Sequence, residues 1–222
     1  FGVLLLAWVY YGMSETLAPE NVRPLKISGI TKNYLELLRH RQFMCHTLAG
    51  GFGMAGLFAY LTGSPHVFIN LYDIKPQSFG FYFGINAASY ILAAQLNAYL
   101  LDRLSPARLL LLAQIAVVIS TVVGLVFTGL GVLPFALLMA FLMLYLACMG
   151  FINPNSVALA LAYQGKRLGV ASALMGALQM SCGALAGISI SLWETASALP
   201  LNTALLLCAL LSATFGYLGS RQ

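Results

Sequence analysis

The stretch LPFALLMAFLMLYLACM, Leu133 to Met149, runs seventeen residues without a charge. Segments of this kind recur at about 1–14, 43–63, 79–101, 107–129, 133–153, 168–192 and 201–219. All but the first are long enough to cross the roughly 30 Å hydrocarbon layer as helices. Only 8% of the 222 residues are charged, against roughly 25% in a soluble domain. The chain cannot cover a water-facing surface, so lipid is its main solvent. Backbone in lipid must be satisfied within helices or a closed barrel. Barrel strands alternate apolar and polar residues, whereas these runs are continuous. The fold expected is all-α and polytopic.

The net charge of +5 does not describe a nucleic-acid binder, because the basic residues are few and lie between the apolar segments. The loop Leu17–Gln42 carries Arg23, Lys26, Lys32, Arg39 and Arg41, and the next, Ser64–Ser78, only Lys75. Then come Arg103 and Arg108, a loop with none, Lys166 and Arg167, a second loop with none near Glu194, and finally Arg221. This alternation follows the positive-inside pattern. It places the basic loops and the C-terminus in the cytoplasm. The four cysteines all fall in apolar segments and have no CxxC or metal-type spacing. No nucleophile–base set or metal cluster appears in any segment, which argues against an enzyme, and no cofactor is expected.

Phe1 opens directly onto an apolar run ending at Met13, with no basic region before it. As a helix this run would rise about 20 Å, short of a full crossing. The expectation is a chain that starts inside a span. Within the long loop, TKNYLELLRHRQF brings Leu35, Leu38 and Phe43 near one helical face. Such a face suits a helix at the headgroup level as well as a solvated linker. At LTGSPHVFINLYD, Pro65 is expected to bend a helix that continues beyond it.

Intramembrane carboxylates usually mark proton or ion coupling, and none falls at mid-membrane depth. Glu15 and Asp102 sit at helix ends, Asp73 and Glu194 in loops of the opposite side, and His46 within a turn of the boundary, as an interfacial residue. Polar and small residues do share faces: Tyr82, Asn86, Ser89, Ala93 and Asn97 in the third segment, Ser172, Gly176, Gln179, Gly183 and Gly187 in the sixth, and Met139, Met143, Gly150 and Asn153 in the fifth. Small residues let helices approach, and amides in hydrocarbon need partners or a wet cavity. Gly183 and Gly187 read as packing. For Asn86, Gln179 and the methionines, packing and cavity lining both remain open. Four glycines in LAGGFGMAGLF (Gly50, Gly51, Gly53, Gly56) suit either close packing or a helix that rocks.

SETL at a span's end, a long basic loop and six further spans resemble the second part of a major facilitator superfamily transporter. The segments LRHRQFMCHTLAGGFGMAGLFAYLTGSPHVFINLYDIKPQSFGFYFGIN and NPNSVALALAYQGKRLGVASALMGALQMSCGAL resemble the bicyclomycin-resistance (Bcr/CflA) group of drug:proton antiporters. The resemblance covers essentially the whole chain. It implies that residues 1–16 are the truncated sixth helix of a twelve-helix fold, 17–42 the central cytoplasmic linker and 43–222 the C-terminal six-helix bundle. NAYLLDRLSPARLL is similar to the superfamily's Asp-Arg loop motif through Asp102 and Arg103, without the motif's leading glycine and basic pair. The first-half signatures, with the acidic residues held to bind protons, are absent from this chain. In GFINPNSVALALAY the resemblance places Asn153, Pro154 and Asn155 at the cytoplasmic end of helix ten, with Pro154 ending or kinking it and the asparagines bonding freed carbonyls and a neighbouring helix.

These readings lead to one expectation of function. The chain is half of a multidrug efflux antiporter in a bacterial inner membrane, working by rocking of two bundles about a midplane cavity. The expected cavity wall is Phe52, Phe58, Tyr82, Asn86, Met139, Met143 and Gln179, with Pro65, Asp102, Arg103, Asn153, Pro154 and Asn155 as gating or structural positions. The expected partners are small amphipathic drug-like molecules, the bilayer, and protons bound in the absent first half. The rivals are a small-metabolite carrier of the same superfamily and a non-transporting membrane fragment.

Overall fold

The computed structural model describes residues 2–12, 27–193 and 197–221, and among them all regular structure is helical. The helices are α1 (Gly2–Gly12), α2 (Ile27–Arg39), α3 (Arg41–Pro65), α4 (Pro76–Leu100), α5 (Pro106–Gly129), α6 (Phe135–Leu161), α7 (Leu168–Ser191) and α8 (Leu199–Ser220). The chain divides at Lys32/Asn33 into two compact units. The first contains α1, an apolar helix whose residues are all exposed. The second contains α3–α8. The first part of the expected linker, with Arg23 and Lys26, lies outside the described residues, as do Glu15 and Glu194.

Five helical stretches are long and apolar enough to cross a membrane: Arg41–Leu71, Pro106–Gly129, Phe135–Leu161, Leu168–Ser191 and Leu199–Ser220. α4 is as long as these but carries Gln77, Asn86, Gln95 and Asn97, and so falls below them in apolarity. The reason for its polarity is visible in its packing.

Two helices run on through prolines, α3 as expected. α3 continues past Pro65 as a π-helical turn, His66–Leu71, because the winding changes rather than stops where proline removes a donor. Likewise α6 runs through Pro154 to Leu161. Of the two expectations at Pro154, ending or kinking the helix, ending is ruled out.

α2 and α3 meet at His40, whose Nδ1 accepts a hydrogen bond from the Phe43 amide at 3.2 Å and caps α3. Leu35 and Leu38 are about half exposed, whereas Leu37 is 1% exposed and packs with Phe43, Ala160, Ala171 and Met175. Glu36 pairs with Arg167 beside this cluster. His46, expected within a turn of the boundary, lies in the second turn of α3. It is buried, with its ring against Gly219 of α8.

α3 is the hub, packed against α6, α7 and α8, while α6 also carries α4 and α5. Its glycines each admit a neighbour's side chain: Gln179 at Gly50, Cys182 at Gly51, Ile152 at Gly53 and Tyr145 at Gly56. The main core runs from Tyr60, Val67 and Phe68 through Leu138, Leu142, Tyr145 and Ile152 to Leu201 and Leu205. Cross-helix contacts fix the direction of the helices. Glu36–Arg167, His46–Gly219 and Asn97–Asn155 lie at one end. Tyr72 Oη to the Leu133 carbonyl (2.7 Å) and Asn202 to Thr128 (2.6 Å) lie at the other. Arg39, Arg41, Arg103, Arg108, Arg167 and Arg221 therefore collect at the first end and Lys75 at the second.

Candidate functional site

The polar stripe of α4 turns into the seam with α6. Its buried residues are Asn86, Ala93 and Asn97. Asn86 is fully buried, and its Nδ2 donates to Tyr60 Oη at 3.0 Å and approaches Met139 Sδ at 3.8 Å. Ser89 Oγ donates to the Asn86 and Met143 carbonyls at 2.6 and 3.1 Å. Asn155 Nδ2 donates to Asn97 Oδ1 at 2.6 Å and to the Phe151 carbonyl at 2.8 Å. At Gly150 the two backbones come close: a methyl there would stand 2.7 Å from the Tyr90 carbonyl oxygen. The Asn86 and Asn155 Nδ2 groups thus have partners across the seam, offsetting part of their desolvation cost, while the side-chain oxygens of both residues are buried without one among the described residues.

With the amides turned inward, the adjacent face of α4 looks toward α3. Phe83, Ala87, Tyr90 and Ile91 join Leu57, Tyr60 and Leu61 of α3 and Leu146 of α6 around a cleft of about 260 Å³. The Tyr60 and Phe83 rings stack at 5.8 Å, and Asn86 fixes the Tyr60 hydroxyl from behind. No charged residue lines this cleft. It suits an apolar or aromatic body. A wider hollow of about 610 Å³ lies where α3, α7 and α8 meet at the Lys75 end, lined by Thr62, His66, Ser191, Trp193, Ser197 and Leu201 among others.

The sequence-derived positions separate into three groups. Tyr82, Asn86, Met139 and Met143 lie along the α4–α6 side, with Tyr82 edge-on to Phe135 at 5.0 Å. Phe52, Phe58 and Gln179 lie elsewhere: Phe52 stacks on Phe215 of α8, Phe58 fills the space left by Gly183 of α7, and Gln179 meets Gly50. Asp102 and Arg103 occupy an exposed turn, where Arg103 sits over the Tyr99 ring at 5.5 Å. Pro65 marks the change to π winding. In α6, Asn153 is half-buried, Pro154 exposed and Asn155 buried. None of the seven expected cavity residues lines the aromatic cleft. Its actual lining sits one helical step away, where Phe83, Ala87 and Tyr90 repeat at the spacing of the polar stripe. Among the described residues, no group of three or more His, Cys, Asp or Glu is placed to hold a metal ion.

A polytopic helical membrane protein with an uncharged aromatic cleft among its helices is the class these observations define. The model of the Major Facilitator Superfamily matches residues 1–188, and the chain belongs to that superfamily. It is 32% identical over 212 residues, 96% of its length, to an uncharacterized MFS-type transporter, YdgK, of Bacillus subtilis. It is 28% identical over its full length to a bicyclomycin resistance protein homolog of Haemophilus influenzae. It covers 52% and 56% of those proteins, so the chain spans about half the length of the relatives it matches.

Proposed function

We propose that this chain is the C-terminal half, with the last helix of the first half, of a secondary transporter that exports amphipathic drug-like molecules in exchange for protons. The supporting observation is the uncharged, aromatic cleft of Tyr60, Phe83, Ala87 and Tyr90, which suits varied apolar ligands better than a dedicated polar metabolite. The name of the Haemophilus relative points the same way. At about 260 Å³ the cleft is just below the usual size of a ligand pocket. In this reading a facing bundle completes it, and rocking of the two halves exposes it alternately.

In this reading residues 1–16 are the sixth helix, 17–42 the central linker and 43–222 the second bundle. The Arg-bearing end faces the cytoplasm of a bacterial inner membrane. Proton coupling is assigned to the first half. Among the described residues the carboxylates Glu36, Asp73 and Asp102 all lie outside α3–α8. The wider hollow with Thr62, His66 and Ser191 is the feature that favours a small-metabolite carrier instead.

The test is a pocket-filling substitution in this segment in a full-length context, assayed for dye and antibiotic efflux. Ala87→Trp is expected to reduce efflux by at least tenfold while leaving membrane insertion intact. Unchanged efflux would count against the cleft, and competition by polar metabolites alone would favour the second reading.

A further inference from the structure

A third crevice, of about 450 Å³, lies between the start of α5 and the end of α8. Arg108 and Arg221 line it together with Ser105, Ser220, Tyr217 and Gln114, and its lining includes no carboxylate. Among the described residues neither guanidinium takes part in an ion pair, since the salt bridge found joins Arg167 and Glu36. The Arg221 guanidinium lies 4.6 Å from the centre of the Tyr217 ring, which restrains its plane. Ser105 caps α5, so the positive end of that helix dipole opens onto the same crevice.

The crevice continues into an apolar surface. Leu111, Leu112 and Ile115 of α5 and Leu207, Leu210 and Leu211 of α8 are all exposed. α5 has 24 residues and rises about 36 Å, longer than the roughly 30 Å hydrocarbon layer. Its first turn therefore reaches the level of lipid phosphates, while the exposed leucines lie at the level of acyl chains.

We infer that the α5–α8 crevice is a binding site for an anionic phospholipid. Arg108 and Arg221 hold the phosphodiester, the Ser105 hydroxyl, which accepts from the Arg108 amide, donates to the headgroup, and the exposed apolar faces carry the acyl chains. Guanidinium and phosphate match in charge and in fork geometry, and basic pockets between membrane helices are suited to such headgroups. A zwitterionic lipid brings its own cation and gains less from two arginines.

The experiment is native mass spectrometry of the protein released from nanodiscs holding equal phosphatidylglycerol and phosphatidylcholine. Retained phosphatidylglycerol is expected to exceed phosphatidylcholine. In the Arg108→Gln/Arg221→Gln protein the preference should fall by about thirty-fold, from the usual worth of two basic side chains at a lipid surface. Arg103→Gln, which removes a neighbouring arginine outside the crevice, should leave it unchanged. Both altered crevice residues are exposed, and an unshifted unfolding midpoint would exclude misfolding. Equal loss in Arg103→Gln would overturn the proposal, as would retention in the double variant. Displacement of the lipid by millimolar inorganic phosphate would show a free-anion site instead.

Discussion

At Asn86 a single amide serves two helices, donating to Tyr60 of α3 and approaching Met139 of α6. Asn86→Ala leaves the Tyr60 hydroxyl without this donor and should lower stability by about 1 kcal/mol, read as a shifted midpoint of unfolding in mixed micelles. An unmoved midpoint would mean that the amide does no structural work. Gly150 is a sharper case. Gly150→Ala places a methyl against the Tyr90 carbonyl oxygen, where backbone has little room to give, and should cost about 1–3 kcal/mol. Gly80→Ala, where the added methyl meets nothing within 4 Å, is the control and should not destabilise. Loss of the same size at both positions would contradict the close α4–α6 approach.

Among elements, the α4–α6 seam was the most legible in the sequence. The stripe Tyr82, Asn86, Ser89, Ala93, Asn97 is written at helical spacing, and an amide in hydrocarbon has few alternatives to facing a partner. What the stripe did not reveal is that the adjacent cleft is lined by Phe83, Ala87 and Tyr90 rather than by the amides. Aromatic residues such as Phe83 and Tyr90 carry no pattern that separates a ligand cleft from a lipid face. At Pro154 the sequence left ending and kinking open, because whether a helix goes on after losing one hydrogen bond at proline depends on the neighbours that support it. If Asn97 and Asn155 act as a pair across the seam, a double-mutant cycle with alanine should give a coupling of about 0.5–1.5 kcal/mol. Additive effects would show that the two amides are independent. The Glu36–Arg167 pair is well exposed, so Arg167→Ala should cost under about 1 kcal/mol and its effect should fade with salt.

For the whole molecule, continuous apolar runs dictated helices, and the alternating Arg and Lys content of the loops anticipated the single basic end that the cross-helix contacts define. Neither feature encodes which faces of α3, α4 and α6 stay open, because that depends on how α3 docks its glycine run against three neighbours at once. The central claim is that this bundle carries the drug-facing cleft of a proton-driven exporter and that its partner half carries the coupling. Drug efflux from cells expressing this segment in a full-length context tests this most directly, compared with cells expressing these 222 residues alone, with both proteins verified in the membrane. The account predicts efflux from the longer protein that disappears when the proton gradient is collapsed, and none from the shorter. Gradient-dependent efflux by the 222-residue chain alone would contradict it.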